Sequence, residues 1–523
     1  MKILRFLLIG FLAIVVLIAG FIAVTLILRG QKNGFPNEQA ALENKLLIPP
    51  LLQPQIVKGE KVFTLTAQAG EMNFLPGQRT ETMGYNGSYL GPTIRAHEGD
   101  KVRVDITNDL DLTTTVHWHG MHLPAAMDGG PHQLIMPGGT WQPEWTIANE
   151  AATLWYHPHQ MGSTGEQVWQ GLAGVFIIDD DNSDALSLPS EYGVDDIPLV
   201  VQDRKFDANG QFVYREHGGQ DALPAPAGMI GDTIRVNGTH APYVDVPRRL
   251  VRLRLVNASN GRRYNFGFSD GRSFYQIATD GGLLDAPVER DRVLLGAGER
   301  AEIVVDLTDA TDPLTLMSYP VVGEGNGVMG FVRGFFGDDD EGQEFRILEL
   351  RPQNSAAEAS RLTELPTKLN SIKRLDEASA TTTRQFVLDS RSINNKSMDP
   401  TRVDEVVKKG DVEIWQVDNQ SPFYHVFHIH GFQFQVLDRG KTPTPSYEAG
   451  WKDTVIVNPG EKVRLIMQFT DYSDPTVPYM YHCHILEHED MGMMGQFVVV
   501  DNLSDVVKLE SPLIDAPDDM NMP

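Results

Sequence analysis

A disulfide within the chain is excluded, because Cys483 is the only cysteine and one thiol has no partner. Positive charge is also scarce. The 44 Lys and Arg face 70 Asp and Glu, for a formal net charge of -26. That balance excludes recognition of a phosphate backbone, which needs clustered Lys and Arg, so no nucleic-acid partner is expected. The acidic runs Asp179-Asp180-Asp181 and Asp338-Asp339-Asp340-Glu341 read as solvated loops. Their charge keeps the protein soluble and weakly favours cations. Collagen-like and broadly low-complexity segments are missing,. The Val, Ile, Thr and aromatic runs are short, and Gly, Pro, Asn and Asp break them. This pattern predicts an all-β chain. At 523 residues the chain exceeds one ordinary core, so two to four domains are expected.

The N-terminus reads as a transmembrane anchor over residues 1–30. Phe6 to Leu28 is apolar apart from Gly10, Gly20 and Thr25, long enough for the ~20 residues that span a bilayer as a helix. No A-x-A site precedes Gln31, so the segment is read as uncleaved, with secretion after signal cleavage as the alternative. Lys2 and Arg5 before the span nearly balance Arg29 and Lys32 after it,. The large acidic portion that follows favours an inside N-terminus and an extracytoplasmic body, periplasmic or extracellular. With no twin-arginine pair, export is expected unfolded, with metal loaded outside. Residues 31–58, with Pro49-Pro50 and Pro54, read as a tether.

The remainder repeats itself weakly. Asn108, Asn257 and Asn419 each close a strand-like run, and each stands nine residues before a short motif. Those motifs are His117-Trp118-His119-Gly120, Phe266-Gly267-Phe268 and His428-Ile429-His430-Gly431. Turns at Pro137-Gly138-Gly139, Gly298-Glu299-Arg300 and Pro459-Gly460-Glu461-Lys462 each precede another strand-like run. Tyr156-His157-Pro158-His159 also matches Tyr481-His482-Cys483-His484. Units approaching ~150 residues suit β-sandwich domains rather than a solenoid. The domains are placed at 59–185, 190–350 and 384–505. Residues 352–383 form a polar connector, partly helical around Ala356 to Leu365, and 506–523 an acidic tail. Histidines in copies one and three, with phenylalanines in copy two, make the middle domain a metal-free spacer.

The four His-x-His pairs are His117/His119, His157/His159, His428/His430 and His482/His484. On a strand, residues i and i+2 share a face, so each pair presents two imidazoles in one direction. One such pair is more often surface or core histidine. Four at repeat-equivalent positions point instead to transition metal held where the first and last domains meet. Cys483 would point away from His482 and His484, toward a separate site with His425, His488 and Met493. Two histidines, a cysteine and a weak axial methionine are the blue-copper set, and they favour cycling between Cu(I) and Cu(II). Met491 and Met494 are weaker axial candidates and read as a local apolar cluster. Zinc competes for Cys and His but has no redox chemistry. His97, His122, His132, His217 and His240 match no pairing and are taken as structural.

These motifs, together with Trp155 before Tyr156 and His425-Val426-Phe427 before His428, resemble the multicopper oxidase family. That family includes laccases and bacterial copper efflux oxidases. The resemblance covers nearly everything after the tether. It implies three Greek-key cupredoxin β-sandwich domains and four coppers as cofactors: one type 1, one type 2 and two type 3. His425, Cys483, His488 and Met493 match the type 1 ligands, and His117 and His428 the type 2 ligands. His119, His157 and His484 match one type 3 copper; His159, His430 and His482 match the other. Electrons would pass through Cys483 to the cluster, where dioxygen would be reduced to water. Asp128 and Glu489 match family carboxylates that supply protons, although alone they read as a turn aspartate and a surface glutamate.

Two departures bear on the donor. Val426 stands where the family usually has proline; its side chain is not a ligand. Ser421 and Phe423 stand where the cuprous oxidases carry Asp and Met, and the 352–383 connector has no methionine. The expected donor is therefore a phenol or aromatic amine, as for a laccase. Oxidation of Cu(I), Fe(II) or Mn(II) in metal resistance or homeostasis is the alternative. A ligand-free scaffold is disfavoured because every ligand type is present. Copper nitrite reductase is disfavoured because its cysteine site lies in the first of two domains, whereas Cys483 lies in the last.

Overall fold

The computed structural model describes residues 41–214, 228–321, 343–353, 364–440 and 442–505. The expected anchor, the start of the tether, His217, residues 356–363 of the connector and the acidic tail lie outside the described residues. Among the described residues, no helix is long and apolar enough to cross a membrane.

Strands dominate, and they form six sheets that pair into three sandwiches, each closed over its own apolar core. The strand Lys101–Asp109 shows why. Val102, Val104, Ile106 and Asn108 are buried while the residues between them face outward, the period-2 pattern of a sheet with one wet face. Its inward side chains meet Trp118, Leu154, Tyr156 and Phe176 of the opposing sheet. The middle sandwich packs Phe266 and Phe268 into its core. The last encloses Trp415, Phe427, Tyr481 and Phe497.

The repeated asparagines are structurally equivalent. The Asn108 amide donates to the Leu112 and Ile135 carbonyls and accepts from Leu110 N–H. Asn257 does the same with Arg262, Leu295 and Ser259, and Asn419 with Phe423, Val457 and Ser421. One buried amide thus satisfies three backbone groups where a strand stops, a need that any buried turn must meet. The glycine turns answer it: Gly138, Gly298 and Gly460 donate to the Asn108, Asn257 and Asn419 carbonyls at 2.8 Å each.

The tether does not extend to residue 58. Leu42 and Leu46 are buried, Asn44–Lys45 pairs with the strand Pro242–Pro247, and Gln55–Val57 pairs with the strand beginning at Glu60. Prolines tolerate a sheet edge, and the leucines here gain burial that a solvated tether would forgo. The connector is also bound to the body. Leu369 joins a small apolar cluster with Leu188 and Leu283, and Glu364 and Leu365 are not helical.

Candidate metal centre

Strand pairing brings the histidines together. His117–His119 runs antiparallel to Ala152–His157, with His117 opposite His157. His425–Ile429 runs antiparallel to Asp474–Cys483, with His428 opposite His482. The two strand pairs face one another: His117 stacks on His430 and His119 on His428, each with ring centroids 3.8 Å apart. All eight paired histidines are buried.

Their ligand atoms sort into three groups. His159 Nε2 and His430 Nε2 each lie 3.1 Å from His482 Nε2. His119 Nδ1 lies 3.4 Å from His157 Nε2 and 3.2 Å from His484 Nε2. His117 and His428 remain. Each gives its Nδ1 to a backbone carbonyl, of Asp128 at 2.9 Å and Asp453 at 2.8 Å. Their Nε2 atoms are buried with no hydrogen-bond partner. Buried imidazole nitrogens are rarely left so, whereas a metal ligand uses one nitrogen for the ion and the other to be oriented. The donor set therefore fits copper.

A fourth group stands apart. Cys483 Sγ lies 3.4 Å from His425 Nδ1 and 3.6 Å from His488 Nδ1, and Met493 is buried in the same core. His425 Nε2 meets the Ser421 hydroxyl at 2.9 Å. The alternation along the strand puts Cys483 on this side and His482 and His484 on the other, with only the backbone between.

Burial, with repulsion from neighbouring imidazoles, lowers His119, His157, His159, His428, His430 and His482 well below the usual histidine range, and His425 and His484 to about 3. They are neutral, with lone pairs for a metal. Burial pushes the Cys483 thiol up to about 12, so a bound cation must displace its proton.

Carboxylates lie beside the outer nitrogens. Asp128 Oδ2 lies 2.7 Å from His430 Nδ1. Glu489 sits 3.3 Å from His159 Nδ1 and 3.2 Å from His482 Nδ1. Neither is a surface group: Asp128 is 1 % exposed and Glu489 0 %, and burial raises Glu489 well above the usual carboxylate range.

Sequence reasoning missed Asp453 and Arg300. Asp453 Oδ1 lies 3.1 Å from His119 Nε2, and Arg300 grips both carboxylate oxygens at 2.7 and 2.6 Å. Arg300 also donates to the carbonyls of Thr153 and Asp280. Beside it, Lys452 Nζ lies 2.6 Å from Asp280 and 3.1 Å from Glu299. Gly298 has φ +82°, and a Cβ there would come within 2.9 Å of the His484 ring. The middle domain is thus more than a spacer, because it clamps the cluster from a third side. The available signal was the Gly298-Glu299-Arg300 turn, but a repeat does not reveal which residue reaches across a domain boundary.

Arg300→Met is expected to lower the stability of the copper-free protein by about 3–5 kcal/mol, because it strands a buried carboxylate. Denaturant titration checks this, and an unchanged midpoint would refute the clamp.

The structure leaves His97, His122, His132 and His240 outside every group of clustered ligands. His132 bonds Gln496 at 2.7 Å, and His97 faces Asp181 and Asp184 at the surface.

Comparison with known proteins agrees with this geometry. A family profile described as multicopper oxidase matches residues 66–183, and a second with the same description matches 364–502. Multicopper oxidase mco of Staphylococcus aureus is 36% identical over 464 residues, 87% of this chain and 93% of that protein. Cell division protein FtsP of Escherichia coli (strain K12) is 36% identical over 465 residues, 88% of this chain and 93% of that one. Among solved structures, the bacterial laccase-like multi-copper oxidase CueO from Ochrobactrum sp. superposes with a TM-score of 0.77 at 34% identity, covering 87% of this chain and 100% of that one. That protein is described as having oxidase activity towards lignin model compounds and lignosulfonate.

Proposed function

This chain belongs to the multicopper oxidase family and is an oxidoreductase with its all-β, cupredoxin-like fold, and from that premise we propose that it is laccase-like, oxidising phenols or aromatic amines one electron at a time and reducing dioxygen to water. The observation that carries this reading is the sorting of buried ligand atoms into two imidazole triads, an imidazole pair and a Cys–His–His group. His425, Cys483, His488 and Met493 would hold a type 1 copper, and His117 and His428 a type 2 copper. His119, His157 and His484 would hold one type 3 copper, and His159, His430 and His482 the other. When bound, copper supplies one-electron acceptance at the cysteine site and four-electron reduction of dioxygen at the cluster.

The chain's own residues set the conditions. Cys483 is bonded through the backbone to His482 and His484, one from each triad, so a short covalent path joins the sulfur to both. Asp128 orients the His430 ring, Glu489 lies beside His159 and His482, and the position of both carboxyl groups suits proton delivery to the same space. The sandwiches exclude bulk water from every ligand.

The similarity to a cell division protein raises a non-enzymatic role. Overall identity does not separate the two, since mco and FtsP are equally similar. The complete ligand set favours the oxidase. On the donor side, the neutral Ser421 hydroxyl occupies the outer nitrogen of His425, where a carboxylate would have favoured a cationic donor. We also place the catalytic part outside the cytoplasm, tethered through Phe6 to Leu28.

Oxygen uptake against a donor panel tests the assignment. Phenols and aromatic amines should turn over faster than Cu(I), Fe(II) or Mn(II). Rapid metal-ion oxidation with negligible phenol oxidation would replace the laccase reading with a metallo-oxidase.

A further inference from the structure

A group of side chains beside the histidine cluster has no place in the mechanism above. Met398, Met480 and Met494 pack together, with the partly buried Met161 against them. This cluster consists of methionine alone, whereas the other apolar clusters are built mainly from Val, Leu, Ile and aromatic residues. Plain core filling favours those branched and aromatic types; methionine specifies packing poorly.

Its location is set by register. Across the strands Asp474–Cys483 and Met494–Val500, His482 is opposite Met494 and Met480 is opposite Gln496. Cross-strand partners share a face, as do i and i+2 along a strand. Met480, Met494 and His482 therefore face the same way, the side on which His482 meets His159 and His430. Met493, one residue earlier, faces the opposite core with Cys483. Met161 stands two residues after His159. Met398 N–H donates to the Gly492 carbonyl at 2.9 Å, holding its loop against the turn before Met493. Exposure falls along the group, from the partly exposed Met161 through Met398 at 8 % to Met480 and Met494 at 1 % each. The buried end adjoins the His159–His430–His482 triad.

We propose that Met161, Met398, Met480 and Met494 form a Cu(I)-binding site through which copper reaches the histidine cluster. Thioethers are neutral, soft donors that select Cu(I) over harder ions. At the inner end three imidazoles, of His159, His430 and His482, converge and bind more strongly than thioethers,. An ion entering as Cu(I) passes inward by ligand exchange, from sulfur to nitrogen. No electron is transferred and no covalent bond of the protein breaks. The inference rests on the histidine groups being copper sites, but its test reads the methionines separately.

Copper-loaded protein is titrated anaerobically with Ag(I), a redox-silent stand-in for Cu(I), and bound silver is counted by native mass spectrometry. The unsubstituted protein should bind one silver beyond its resident coppers. A Met398→Leu, Met480→Leu, Met494→Leu triple variant, nearly volume-conserving, should bind none and keep its blue colour. Met161→Leu, at the partly exposed end, should weaken silver binding by about tenfold or more. Copper-free triple variant given Cu(I) should also fill its histidine sites at least about tenfold more slowly than the unsubstituted protein, with the same final copper content. Silver binding unchanged in both variants overturns the site, and equal filling rates overturn the route. Failure of the parent reading is distinguishable, as unsubstituted protein that holds no copper at its histidines.

Discussion

Cys483→Ser should bleach the protein and cut oxygen consumption by more than about a hundredfold, since loss of even an outer partner of a metal ligand costs ~10–100-fold. The sulfur is the one soft anionic ligand available, 3.4 and 3.6 Å from the two imidazoles that share its site. Serine supplies a hard hydroxyl that stays protonated in this buried place, so the strong thiolate-to-copper absorption is lost. The two triads and the His117/His428 pair contain no atom of the Cys483 side chain, so copper analysis should still find metal at those sites. Substitution of one buried small side chain by another leaves the fold intact. A Cys483→Ser protein that stays blue would show that another residue supplies the sulfur and would remove the electron path with it.

His119→Ala should do the reverse, keeping the blue colour while oxygen uptake falls by more than about a hundredfold. His119 Nδ1 is the atom to which His157 and His484 converge, at 3.4 and 3.2 Å. Its Nε2 is held by Asp453 and by Thr454 Oγ1 at 3.1 and 3.0 Å. Removing the ring takes one ligand from a triad and a partner from the Asp453 carboxylate, while the Cys483 site lies on the other face of its strand. Oxygen uptake at the unsubstituted rate, in protein with full blue absorbance, would show that this triad does not carry the reaction. The two variants separate electron uptake from oxygen reduction, which a single loss of activity would not.

Much of this site was legible because its grammar is local. Two residues apart on a strand means one face, so the four His-x-His pairs and the opposed Cys483 could be read directly. The strand-ending asparagines were legible for a similar reason, since each amide bonds carbonyls four or five residues ahead. Glu489 was harder. On its own it reads as surface, and only the packing of the short helix Leu486–Asp490 places it between His159 and His482. The tether was misjudged because prolines signal a loop locally, while the burial of Leu42 and Leu46 depends on a sheet some two hundred residues later in the chain.

What the sequence determined by itself was the inventory and its facing: which imidazoles point together, which sulfur points away, and which copies carry the histidine pairs. Tertiary structure alone decided which pairs bring their nitrogens together, since His159 and His482 meet only when the first and last sandwiches close on each other. It also decided that Arg300 reaches Asp453 and that Met161 joins Met480 and Met494. The physical reason is range. Backbone periodicity sets direction over a few residues, whereas contacts between domains are set by buried surfaces whose partners are hundreds of residues apart.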